Sequence, residues 1–112
     1  VHTAPSAAAA LEILAGHRFA VALLDIRMPG MTGVDLVPQA IALDGDLAVL
    51  MLTAVNDAPT ATLALSAGAM DYLMKPIELL DLKQAVERAL HKRELLIEQR
   101  NVERMIREEV AL

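Results

Sequence analysis

The sequence predicts an α/β fold with helices on both faces of a parallel sheet, and three observations carry the prediction. Short apolar runs without polar alternation occur at Val21-Ala22-Leu23-Leu24 and Leu47-Ala48-Val49-Leu50-Met51-Leu52, as strands covered on both faces require. Segments of helical pattern separate them and are long enough to cross over between parallel neighbours. Each run also ends on a polar residue followed by turn chemistry.

Taken in order, Pro5-Ser6 opens an Ala-rich helix over Ala7 to Ala10 with Leu11, Ile13 and Leu14, which stops at Gly16. Val21 to Leu24 is a buried strand that delivers Asp25, and the turn from Ile26 to Gly33 contains Pro29-Gly30. Val34 to Leu43 is the next helix, capped by Thr32, with Pro38 predicting a kink or a late start. Leu47 to Leu52 is a second strand ending at Thr53. A helix then starts near Asp57-Ala58-Pro59, with Asp57 as its cap, and stops at Gly68. Asp71-Tyr72-Leu73-Met74 is a third strand closed by Lys75-Pro76. From Glu78 the pattern stays helical to about Val110. Leu79, Leu82, Val86 and Leu90 form a stripe for the sheet, and Leu95, Val102, Met105 and Leu112 keep a coiled-coil-like spacing that Glu98 and Glu109 interrupt. Between Glu87 and Glu109, six basic residues balance six glutamates, which fits a solvated helical linker or a dimerising helix.

Composition narrows the function. With 112 residues, 55% of them apolar, the chain has material for one core. Its net charge of −5 argues against direct nucleic-acid binding, which needs clustered Lys and Arg, and points toward proteins or cations. No cysteine is present, which excludes thiolate metal sites and fits a reducing compartment. No apolar run reaches the roughly 18 residues of a membrane span, so a soluble cytoplasmic protein is expected. His2, His17 and His91 lack metal-ligand spacing and read as surface or packing residues. The six methionines, Met51 and Met74 among them, read as core fillers, with Met28 in the loop after Asp25.

Three strand ends carry Asp25, Thr53 and Lys75. Parallel, adjacent strands would turn all three toward one crevice, because open α/β sheets gather their reactive groups at the carboxyl ends of the strands. A carboxylate nucleophile, a hydroxyl and an ammonium suit phosphoryl transfer, which asks for positioning and charge neutralisation more than for covalent help.

The strings LLDIRMPGMTG, MLTA and GAMDYLMKP, in this order and spacing, resemble the receiver domain of two-component response regulators, from Val1 to about residue 90. The resemblance implies a flavodoxin-like doubly wound sheet in which Asp25 accepts a phosphoryl group from a histidine kinase or phosphotransfer protein. Thr53, with Ala54 in the loop after it, would bond the phosphoryl oxygens, and Lys75 would pair with them. Tyr72 would be the switch aromatic, and the Lys75-Pro76 bond cis. Mg²⁺ would be held by Asp25 and the backbone carbonyl of Arg27 together with an acidic pair that this chain does not contain. Residues 1–90 would form the receiver and residues 91–112 a helical extension, possible as a coiled coil and as a connector into an effector such as an enzymatic module.

The family's first strand and helix are missing from the match, and Val1 to Ala4 corresponds to its second strand. The expected sheet is therefore incomplete, with an open edge or gap beside the Val21 strand. Truncation, a phosphorylation-incompetent pseudo-receiver and a segment swapped in from another chain all remain open. The chain is expected to be a phosphoacceptor and not an enzyme. A homodimer is expected through the Ala58 to Ala67 helix, the Tyr72 strand and the C-terminal helix, or through a swapped segment. Aspartyl-phosphate hydrolases of the haloacid dehalogenase type share the strand-end Asp, but they place a second Asp where this chain has Arg27.

Overall fold

A computed structural model describes residues 2–28, 31–54 and 58–109. Among the described residues nine elements follow one another: α1 (Ala7–Gly16), β1 (Val21–Asp25), β2 (Arg27–Met28), β3 (Met31–Thr32), α2 (Gly33–Leu43), β4 (Ala48–Thr53), α3 (Ala58–Ala67), β5 (Asp71–Met74) and α4 (Leu79–Glu109). Hydroxyl caps set two of the helix starts, since Ser6 accepts from the Ala9 amide and Thr32 from the Asp35 amide. The cap expected at Asp57 lies outside the described residues. Helix α2 neither starts late nor breaks at Pro38. The proline lies on the exposed face, where water can satisfy the carbonyl left without a donor.

The main sheet has the order β1-β4-β5, all parallel. Val21 pairs with Ala48 and Asp25 with Leu52, while Leu50 pairs with Asp71 and Thr53 with Met74. β4 is central, and Val49, Leu50 and Met51 are all fully buried. One face carries α1, α2 and α3 over a core that includes Leu24, Leu36, Val37 and Met51. On the other face lies α4, whose Ala85 and Ala89 pack against Ala48 and Leu50.

Five sequence expectations need correction. β1 stands at the open edge expected beside it but is not covered on both faces: Leu24 is buried, while Leu23 on the opposite face is 39% exposed. Residues 2–4 form no strand, and among the described residues the main sheet is made of β1, β4 and β5 alone. The stripe that α4 lays on the sheet runs through Ala85, Val86 and Ala89, with Leu82 half-buried and Leu79 81% exposed; alanines let the helix backbone approach the sheet closely. Met74 lies at the surface instead of filling the core, as does Met105. The loop after Asp25 also contains a short antiparallel ribbon, Arg27 opposite Thr32 and Met28 opposite Met31, which the sequence reading had as a plain turn.

Candidate functional site

The carboxyl-terminal rim of the sheet is extended by one hydrogen bond at each strand pair. The Ile26 amide donates to the Leu52 carbonyl at 3.0 Å, and the Lys75 amide to the Thr53 carbonyl at 2.7 Å. These bonds hold the residues just past each strand in ladder register, so Asp25, Thr53 and Lys75 emerge together. The ammonium of Lys75 forms an ion pair with Asp25 Oδ2, and the amide of Arg27 donates to Asp25 Oδ1 at 3.1 Å. The Asp25 and Lys75 side chains are 37% and 46% exposed. This carboxylate is oriented by two donors yet open to a reactant from solvent.

Thr53 is brought to the same rim, but its side chain is buried at 1% exposure and its hydroxyl donates to the Ala54 carbonyl at 3.0 Å. The Lys75-Pro76 peptide bond is cis. Tyr72 stands on the outer face of β5, 37% exposed. It borders an open groove of about 540 Å³ whose other walls include Ile77, Asp81, Gln84 and Arg88. His2 and His17 lie with ring centroids 4.7 Å apart, and His2 packs edge-on against Phe19 at 5.1 Å.

Gly33 is a positioning residue that the sequence reading had only as the end of the turn. Its amide donates to the Ile26 carbonyl at 2.7 Å. A Cβ there would come within 2.6 Å of the Asp25 carbonyl oxygen and 2.9 Å of the Ile26 Cα, contacts with backbone that cannot yield. Glycine thus lets the first turn of α2 press against the peptide that carries Asp25. The available signal was a glycine directly after the capping Thr32.

Residues 1–87 match the family model for the response regulator receiver domain. The chain belongs to that family. It is 42% identical over 105 residues to the C4-dicarboxylate transport transcriptional regulatory protein DctD of Rhizobium meliloti (strain 1021), covering 91% of this chain and 23% of DctD. That coverage exceeds the 87 residues of the family match, so the similarity continues into α4. The transcriptional regulatory protein ZraR of Escherichia coli (strain K12) is 38% identical over 90 residues, 80% of this chain and 20% of ZraR. This receiver chain therefore spans about a fifth to a quarter of the length of these relatives. A crystal structure of a response regulator receiver domain protein from Clostridium thermocellum superposes with a TM-score of 0.79 at 32% identity, covering 85% of this chain and 77% of that one.

Receiver domains work in phosphorylation-dependent signalling with histidine kinases, and the family is generally Mg²⁺-dependent. The residues present do not by themselves make a site for that ion. Among the described residues, no three His, Cys, Asp or Glu side chains cluster as metal ligands. Asp25, already bonded to Lys75 and to the Arg27 amide, is the one carboxylate at the rim that the sequence assigned to metal, and an octahedral hard cation is poorly served by one carboxylate and one carbonyl. No helix of the described residues is long and apolar enough to cross a membrane.

Proposed function

We propose that Asp25 is the phosphoacceptor of this receiver. The P–N bond of a phosphohistidine on a histidine kinase or phosphotransfer protein breaks as a P–O bond forms to the Asp25 carboxylate, and the imidazole leaves. The observation that carries this reading is the Asp25–Lys75 ion pair at the open rim of the sheet. It supplies a nucleophile and, beside it, a fixed positive charge for the phosphoryl oxygens. The chain acts as acceptor and switch and not as an enzyme on other substrates.

Phosphorylation replaces the single negative charge of the carboxylate by nearly two on the phosphoryl oxygens. Thr53 then turns its hydroxyl from the Ala54 carbonyl toward a phosphoryl oxygen, and Tyr72 follows into the space released. The outcome is read on the face formed by α3, β5 and the start of α4, where Leu63, Tyr72, Met74 and Leu80 are exposed. That face and the α4 extension are the proposed homodimer contact. The names of DctD and ZraR as transcriptional regulators support a nucleic-acid-binding effector downstream and a cytoplasmic site of action.

Acetyl phosphate treatment followed by intact-mass measurement tests the assignment. One phosphoryl group per chain is expected, removable by hydroxylamine and absent from Asp25→Asn. Labelling that persists in Asp25→Asn, or none in the parent chain, contradicts it.

A further inference from the structure

Asp46 lies in the turn between α2 and β4, far from the phosphoacceptor rim. Asp44 builds that turn: its side chain accepts from the Asp46 amide at 2.9 Å and its carbonyl from the Leu47 amide at 3.2 Å. The turn presents Asp46 to the far half of α4 with two acceptors. Arg93 Nε donates to the Asp46 backbone carbonyl at 2.7 Å. Arg100 grips the carboxylate with both guanidinium ends, Nη1 on Oδ1 and Nη2 on Oδ2, the latter at 3.1 Å. The ordered turn, the two-ended fork and the second arginine distinguish this contact from a loose surface ion pair.

Helical geometry decides what the contact does. Arg93 and Arg100 are seven residues apart, about 20° short of two full turns, so both lie on one side of α4. Leu95 and Val102 lie roughly 160–180° around the helix from Arg93, and they are 52% and 44% exposed. The arginine side faces the receiver and the apolar side faces away.

We propose that the Asp46 turn is a latch that fixes the rotation and direction of the α4 extension, so that the receiver and residues 93–109 move as one lever with the Leu95 and Val102 side held outward. The latch needs no phosphate chemistry and stands apart from the assignment of Asp25. The Arg100 fork also holds the Asp46 carboxyl below its ordinary range, with Arg93 and Arg18 adding to the effect.

The chain has no cysteine, so Glu12→Cys in α1 and Glu108→Cys in α4 give two specific spin-label sites. Labelled chain is diluted into unlabelled chain so that only intrachain distances are read, and circular dichroism checks that each variant is folded. The parent is expected to give one narrow distance distribution. Arg100→Gln and Asp46→Asn lower the docked-to-free ratio about 2- to 5-fold, the range for an exposed ion pair, and broaden the distribution; Arg93→Gln with Arg100→Gln lowers it further. Arg104→Gln, whose guanidinium reaches Asn101 within the helix, leaves the distribution narrow, and so does Asp25→Asn. In the parent, about 1 M salt, where the screening length falls to about 3 Å, broadens it. An Arg100→Gln distribution as narrow as the parent's, a broadening as large in Arg104→Gln, or a parent distribution insensitive to salt overturns the latch.

Discussion

Two aspartates of this chain meet a cation across a long stretch of sequence, and the pairs are built differently. Asp25 at the rim of the sheet receives a lysine on one carboxylate oxygen and a backbone amide on the other. Asp46 at the opposite end of the domain is held on both oxygens by a single arginine, with a second arginine on its carbonyl. A lysine ammonium is a compact charge on a flexible stem that can shift from a carboxylate to an incoming phosphoryl oxygen. A guanidinium fork matches the carboxylate in two places and has no better acceptor to move to. The first construction suits a group that must react, the second a group that must hold. The supports differ in the same sense. Strand register and Gly33 place Asp25 while leaving its side chain open, whereas an Asp44-centred turn and two helix arginines enclose Asp46.

The contrast can be broken by experiment. The largest effect is expected for Lys75→Ala, which removes the charge that would meet the phosphoryl oxygens. Phosphorylation by acetyl phosphate should slow about 100-fold, and Lys75→Arg should not restore the rate fully, since the fork does not reproduce a point charge. Arg100→Lys, the mirror exchange, should loosen the α4 extension in the label-distance measurement while leaving the phosphorylation rate unchanged. Next in size is Gly33→Ala, where a methyl group would strike the Asp25 and Ile26 backbone. Urea unfolding should show a loss of about 1–3 kcal/mol, and phosphorylation should fall with it because Asp25 is displaced.

Acid should separate the two regions. The Asp46 carboxyl is held below its ordinary value of 3.8, first by the Arg100 hydrogen bond and then by the charges of Arg100, Arg93 and Arg18. Its pKa is lower folded than unfolded, so the contribution to docking is fully present above about pH 4 and is lost as pH falls through the folded value below 3.8. The α4 extension should loosen in that window in the parent to the extent that Asp46→Asn loosens it at neutral pH, and Asp46→Asn should show no further acid step. The smallest effect belongs to the exposed Lys83–Glu87 pair at 4.0 Å. Lys83→Ala should change the unfolding free energy by less than about 0.5 kcal/mol.

These same particulars show what the sequence could disclose. Asp25 and Lys75 were legible because each follows an apolar run, and the period of a strand carries its end residue to the rim. Ser6, Thr32 and Gly68 were legible because caps and stops are local chemistry, and Gly68 does sit at a φ of 122°. The half-open state of β1 was not readable from VALL, since burial on both faces depends on what covers each face. The stripe on α4 was misassigned because Leu79 and Leu90 look like better core residues than Ala85 and Ala89, and only the closeness of helix to sheet selects the smaller side chains. Thr53 was read as a hydroxyl facing the crevice, yet the side-chain rotation that gives it to the Ala54 carbonyl leaves no trace in the sequence. The Asp46 latch joins residues 54 apart, beyond any local pattern. The one signal was the spacing of Arg93 and Arg100, two arginines on one side of a helix too long for its sheet.

The central claim is that Asp25 is where phosphate enters. After acetyl phosphate treatment, borohydride reduction converts an acyl-phosphorylated aspartate into homoserine, and peptide mass mapping locates the change. The account expects homoserine at position 25. Conversion at Asp57, Asp71 or another carboxylate with Asp25 intact would contradict it.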